Sequence, residues 1–467
     1  MSYARYALGA LVVLGAIYFP CRSTGEPTNA GTVAGANGQV VGQVVGGGAV
    51  GPAVAVPAAG KLAPFVEHAL DWLAGAQQKD GGWGAGSSSR QEIRDAHAVP
   101  TDPATTAVAA IAVLRAGNGL DRGAYAETLR RATEYLLRAV ETAKDEGPQI
   151  TNQTGTQPQA KMGQNVDTAL TAQYLARLAQ SLASDAEMRP RVEKALDKCL
   201  RKIESSQSKD GSWAAGGWAP VLQSAQMSTA LEFGQNAGRA IDVAKLSQAR
   251  DYQRSQVAPA AAPVPGAAAS SSRSGRADPA SSASGGAPAG PSFAVRRDAA
   301  AGVELYASAA NMRGVAAEAK AAEEMVETAK EKGELPKDAK VDAKALQQLG
   351  VTKARSEDLV QSFTMNRVAK VRAFDANVLD GFGNNGGEEY LSYQMKSESL
   401  VIDGGEEWNS WSVKMNERLA KVQNTDGSWS GHHCITSPAF CTATAISCLT
   451  ADRDVEWLRT AGKLAGK

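Results

Sequence analysis

Four side chains that bind soft or borderline cations fall within ten residues: His432, His433, Cys434 and Cys441. One histidine with two cysteines makes a reasonable zinc site, because thiolate and imidazole suit that ion and three protein ligands leave a position open. Adjacent His-His-Cys is not a standard ligand spacing, and the sequence offers no fourth ligand. Two other outcomes compete: a Cys434–Cys441 disulfide closing a small loop, which an oxidising compartment favours, and free thiols. The disulfide leads, so no cofactor is expected, with zinc as the alternative. Upstream, Glu388 and Glu389 open a helix behind a glycine-rich loop. If either carboxyl points into a cavity it can act as a general acid. The plainer reading is favourable charge at a helix start. Asp403, Glu406 and Glu407, with Tyr390, Tyr393, Trp408 and Trp411, make the surroundings acidic and aromatic. Cys199 and Cys448 lie on expected helices and read as core thiols.

The elements that position these residues are repeated. The cluster continues directly from Gln423-x-x-Asp426-Gly427-x-Trp429, and the same unit occurs as Gln77-x-x-Asp80-Gly81-x-Trp83 and Gln207-x-x-Asp210-Gly211-x-Trp213. Each unit follows a charged, amphipathic helix and precedes an apolar helix rich in small residues. Asp102 and Pro103 mark one inner start, since the aspartate accepts free N–H groups and proline lacks one. Alternating charged and apolar helices at this spacing signal stacked helical hairpins, none able to cover its apolar face alone. Pairing them gives about six. In each repeat the residue types suggest a staple: glutamine bonding at the helix end, Asp-Gly turning, tryptophan packing over the junction.

These units resemble the glutamine–tryptophan repeats of the squalene and oxidosqualene cyclases, including the aliphatic residue four positions earlier: Leu73, Ile203 and Leu419. Protein prenyltransferase beta subunits carry looser forms. The resemblance implies an all-α fold, an alpha/alpha toroid, over most of 61–451. It does not carry the chemistry with it. The D-x-D-D acid of the acid-initiated cyclases is absent; Phe440 precedes Cys441-Thr442-Ala443 where oxidosqualene cyclases place an aspartate; and no Asp-x-Cys zinc pair of the prenyltransferases occurs. The thioester domains of complement-type proteins share the toroid, but Asn385-Gly386-Gly387-Glu388-Glu389 lacks their cysteine.

The remaining chain frames this core. Arg5 and the apolar run Ala7–Phe19 make 1–21 a signal peptide or membrane anchor, which implies an extracytoplasmic protein, secreted, periplasmic or membrane-anchored. Residues 22–60 read as a flexible linker. The toroid occupies 61–255 and 298–451, split by an Ala/Pro/Ser/Gly-rich insert over 256–297 that is expected to be disordered; 452–467 reads as a C-terminal tail. Lysine plus arginine and aspartate plus glutamate number 49 each, so no net field points to nucleic acid. The expected function is a binding or scaffold module for an apolar small molecule, a peptide or a partner protein, touching the membrane through its N-terminus. The alternative is an enzyme using the 432–441 cluster or Glu388 and Glu389. The two separate on whether those side chains converge on one concave site.

Overall fold

A computed structural model of the chain describes residues 60–182, 185, 187–213, 216–255, 257–259, 293–295, 304–374 and 386–463. The expected signal or anchor, the linker and the body of the insert lie outside these residues. Among those described, no helix is long and apolar enough to cross a membrane. A short antiparallel pair, β1 Val257–Pro259 and β2 Phe293–Val295, stands at the two ends of the insert.

The protein is an alpha/alpha toroid, with six hairpins among the described residues. Its outer helices are α1 Pro64–Gly75, α3 Ala126–Thr142, α6 Met188–Ser205, α8 Val243–Ser255, α11 Lys353–Ala373 and α13 Gly405–Val422. They lead respectively into the inner helices α2 Pro103–Arg115, α5 Val166–Ser181, α7 Pro220–Asn236, α9 Glu304–Glu331, α12 Gly387–Asp403 and α14 Pro438–Leu449. Two short helices, α4 Gln157–Met162 and α10 Ala343–Gln348, sit in connections. Each inner helix packs on the next, and α14 packs back on α2, which closes the ring. The sequence dictates the layering. In α3 the buried residues Leu129, Ala132, Thr133, Leu136, Leu137 and Val140 form one stripe at helical spacing. In α2 every residue is buried, and its alanines let neighbouring backbones approach on both sides.

The three repeats close the ring by one mechanism. The glutamine side chain bridges the carbonyl of the turn glycine and a carbonyl on the following outer helix. Gln77 donates to Gly81 and Thr128, Gln207 to Gly211 and Lys245, and Gln423 to Gly427 and Phe65, at 2.8–3.1 Å. The third bridge joins the last hairpin to the first. Each tryptophan Nε1 donates to the carbonyl of the aliphatic residue that starts the motif: Leu73, Ile203 or Leu419. The turn glycines Gly81, Gly211 and Gly427 have φ of 93°, 86° and 94°, a region L side chains rarely adopt. Asp80, Asp210 and Asp426 each accept the N–H two residues on. A partner not anticipated from sequence completes the staple. The tryptophan backbone N–H donates to a hydroxyl in the first turns of the inner helix: Thr106, Ser224 or Thr442.

The reading of 452–467 as a tail is corrected. Residues Ala451–Asp454 form a 3-10 turn and Val455–Lys463 a helix, α15, which packs on α7, α9 and α12. Its buried Trp457, Leu458 and Ala461 give it an apolar face that the sequence reading overlooked. The segment covers the end of the ring where the inner helices finish. The opposite end, where they begin, carries the repeat loops.

Candidate functional site at the ring mouth

The end where the inner helices start gathers most of the residues singled out for chemistry. Two glycines make this possible. Gly387 N donates to Ile435 O at 2.7 Å, so the loop before α14 lies directly on the start of α12. A Cβ at Gly386 would stand 2.2 Å from His433 O, and one at Gly431 would stand 2.2 Å from Ile435 O. Glycine is therefore required for this close approach, beyond any capping role. The next residue, Glu388, is fully buried and reaches the same loop.

The loop holds Cys434 in a left-handed conformation, φ 63°, the single non-glycine residue with positive φ among the described residues. Its N–H donates to Gln91 Oε1 at 2.8 Å. The following turn is fixed by Gln157, whose Oε1 accepts from Thr436 N and Ser437 N at 2.8 and 3.1 Å. So braced, the Cys434 sulfur lies 3.0 Å from His433 Nδ1 and 3.6 Å from Lys161 Nζ. Lys161 also pairs with Glu388 Oε1 at 3.1 Å. The Tyr306 hydroxyl, from the first turn of α9, donates to the same oxygen at 3.2 Å. Lys161 Nζ sits 5.1 Å from the Tyr306 ring centre. Glu388 Oε2 is buried with no hydrogen-bond partner.

Charge follows from this packing. Burial, with the Glu388 and Glu389 carboxylates nearby, pushes the Tyr306 phenol far up, so it holds its proton and donates. Burial and Glu388 also raise the Cys434 thiol, against the opposing pull of Lys161. One ligand atom each from Glu388, His433 and Cys434 lie within 4.8 Å of one another. A carboxylate, an imidazole and a sulfur at that separation can hold a single borderline cation with a position left open.

Two further carboxyls lie at this end. Asp102 caps α2, accepting from Thr105 N and Ala85 N at 2.7 and 2.8 Å. Asp167, in the first turn of α5, accepts from Ala104 N and from Gln159 Nε2 at 3.0 and 2.7 Å. Burial pushes Asp102 up to about 6. Burial and the Asp102 charge push Asp167 up to about 7.

Not every expected ligand joins. His432 is exposed and stands outside the group. Cys441, the fourth residue of α14, is fully buried with its sulfur directed at Ile435 O, 3.7 Å away. The Cys434–Cys441 disulfide is not formed, and both are free thiols with Cys199 and Cys448. A helix residue facing the core and a loop residue facing the mouth do not meet. Glu389 is buried one position along α12 and does not contribute to the ligand group. Lys161 and Tyr306 were missed from sequence. Lys161 lies in α4, which a Thr156–Gln159 capping box starts beside the mouth, and that box was the one available signal. A cleft of about 650 Å3 between α3 and the 144–153 loop has a charged and amide lining, and none of the cluster's residues lines it.

Residues 41–160 match the family model of the squalene-hopene cyclase C-terminal domain. A squalene–hopene cyclase of Bradyrhizobium diazoefficiens is 40% identical over 75 residues, 16% of this chain and 11% of that protein. The chain thus matches about a tenth of the length of this curated relative. The resemblance to the terpene cyclase-like alpha/alpha-toroid superfamily, expected from the repeats, is borne out. Among solved structures, an inactive variant of an alpha-1,6-mannanase from Salegentibacter sp. HEL1_6, in complex with alpha-1,6-mannotriose, is 8% identical. It covers 84% of this chain and 98% of its own at a TM-score of 0.46. The family match ends before Lys161, so the mouth cluster lies beyond it.

Proposed function

We propose that the ring mouth is a mononuclear metal centre of the zinc type, held by Glu388, His433 and Cys434, and that the protein is a metal-dependent enzyme rather than a scaffold. The observation that carries this is the convergence of three ligand types from α12 and the loop before α14 within 4.8 Å. The residues fit such an ion in a second respect. Glu388 keeps one buried oxygen without a partner while its other oxygen takes Lys161 and Tyr306. A bound ion of this kind supplies Lewis acidity at its open position.

The chain's own groups have separate parts. Tyr306, protonated by its surroundings, orients the Glu388 carboxyl. Lys161 balances the negative charge of Glu388 and, by charge, favours the thiolate form of Cys434. His433, exposed on the solvent side, offers its Nδ1 beside the Cys434 sulfur. Gln91 holds the strained backbone that aims the sulfur. We further infer export, from the N-terminal apolar run, and a substrate that approaches this mouth from outside the membrane.

Metal analysis of the purified full chain tests the reading. Stoichiometric zinc is expected in the parent protein, and substoichiometric zinc in Glu388→Gln, His433→Asn and Cys434→Ser. A parent protein that neither carries zinc nor binds it from a buffered solution would sink the proposal.

A further inference from the structure

A positive charge of the chain's own already lies among the residues of the mouth. Lys161 Nζ is 3.1 Å from Glu388 Oε1 and 3.6 Å from the Cys434 sulfur, so it touches two of the three ligand residues. Glu388 is fully buried, and this ammonium is its ion-pair partner. The backbone that carries Lys161 is fixed. Its carbonyl accepts from Ala219 N at 2.8 Å, and the Ala160 carbonyl accepts from Trp218 N at 3.2 Å. A Cβ at Gly217 would stand 2.4 Å from Gly163 N, so the loop before α7 holds the end of α4 closely. The side chain is the movable part, a flexible four-carbon stem that is 12% exposed and so open to solvent on one side.

A zinc ion bonded to the Cys434 sulfur at about 2.3 Å would lie within about 6 Å of that ammonium, which is 3.6 Å from the same sulfur. A double and a single positive charge repel strongly at that range in a part-buried site. The anions do not hold both cations in place. A carboxylate and a thiolate carry one negative charge each, which the ion balances alone, the thiol proton passing to solvent as the ion binds. Glu388 keeps a donor throughout, because the Tyr306 hydroxyl bonds the same oxygen at 3.2 Å. We infer that Lys161 is an internal counter-ion that the metal displaces. Its ammonium neutralises the metal-free centre and swings to the rim when an ion binds, so this lysine regulates how tightly the ion is held. The inference rests on the metal reading of the mouth and adds its regulation.

The test measures zinc affinity of the full chain, parent beside Lys161→Met, by competition with a chromophoric chelator. Methionine fills much of the same space without the charge, and the variant is expected to bind zinc about tenfold more tightly or better. Its metal-free form is expected to melt lower than the parent, with a buried carboxylate left uncompensated, and to regain that loss in zinc. A second readout needs the parent alone: acetylation of Lys161 by an activated ester, read by peptide mass spectrometry. It is expected to rise several-fold when zinc is added, as the paired amine is released to solvent. Equal or weaker zinc binding in Lys161→Met overturns the inference and leaves the metal centre standing. Acetylation of the parent that zinc leaves unchanged or lowers does the same. Zinc bound by neither protein removes the metal reading and this inference with it. Zinc bound by Lys161→Met and not by the parent supports the inference and shows the lysine holding the native site shut. If the variant does not fold, the acetylation readout decides by itself.

Discussion

The two ends of the ring both bury charge, and they do so in opposite ways. At the end closed by α15, charges alternate through the ring in an unbroken ladder. Arg254 pairs with Glu318, Glu318 with Arg250, Arg250 with Glu232, Glu232 with Arg313, Arg313 with Glu398, Glu398 with Arg115, Arg115 with Asp454 and Asp454 with Arg177, all at 2.7–3.2 Å. These residues come from five of the six inner helices, α8 and the C-terminal segment. At the mouth, one lysine is shared between a carboxylate and a thiol, a carboxyl oxygen is unpaired, and a non-glycine backbone is held left-handed. In the ladder every charged side chain faces at least one opposite charge, although Arg250 Nε and Arg313 Nη2 are themselves buried without a hydrogen-bond partner. The mouth differs in its local strain, a feature that clusters at functional sites and that the proposed metal centre would account for.

The ladder gives the largest effect. Burial alone raises the Glu398 carboxyl, and the Arg115 and Arg313 guanidiniums outweigh it, holding the group below its usual range. Glu398→Gln removes the shared anion and leaves two buried guanidiniums each short of a partner. Breaking a buried pair in this way costs roughly 3–5 kcal/mol. Urea unfolding is expected to show that loss in the midpoint. A change below about 1 kcal/mol, the range of a surface substitution, would mean that water or rearrangement already screens the ladder and that the two ends do not differ as described.

The next effect reads the mouth through pH. Burial raises the folded pKa values of Asp102 and Asp167 to about 6 and about 7, above the ordinary 3.8 of a free aspartate. For a raised carboxyl the folded state binds more protons than the unfolded one, so stability falls as pH rises. The contribution is fully present below pH 3.8 and is lost by the time pH has passed through about 7. Asp167→Asn removes the group that titrates highest and the repulsion it shares with Asp102. Between pH 5 and pH 8 (on the order of the window those shifts define) the parent is expected to lose stability with a steeper slope than the variant. Equal slopes would show that Asp167 is not the group responsible.

Much of the fold was legible because its determinants are local. The glutamine, turn glycine and tryptophan of each repeat lie within seven residues, and their type and order fix the staple. The closing bridge from Gln423 to Phe65 then follows from stacking. What sequence could not show are contacts made by ring closure itself. Lys161 meets Cys434 across 273 residues, and Tyr306 meets Glu388 across 82. The disulfide expectation failed for a related reason. Spacing of seven residues suits a loop, but Cys441 is already inside a helix whose buried face turns it away from Cys434. The glycines before Glu388 were read as ordinary helix-start residues, whereas their use is the approach of the 431–435 loop, visible only once α12 and that loop are side by side. Trp457 and Leu458 lay in a stretch too short to show helical periodicity.

The smallest effect discriminates most sharply between the ends. Cys434 holds φ at 63°, which for an L side chain costs roughly 1–2 kcal/mol against the right-handed region, a cost glycine does not bear. If the sulfur serves function alone, Cys434→Gly relieves the strain while giving up only the sulfur's own weak contacts. The greater freedom of glycine in the unfolded chain offsets part of the gain, so the net is expected to be about 0.5 kcal/mol in favour of the variant. Metal binding is lost in the same protein. Urea unfolding of the metal-free proteins, which keeps ligand linkage out of the comparison, reads the sign. A variant less stable by about 1 kcal/mol or more would place the Cys434 sulfur among the structural contacts, in the manner of the ladder. A neutral or positive change, joined to loss of the metal, is what a residue kept at a local energetic cost for its chemistry must show.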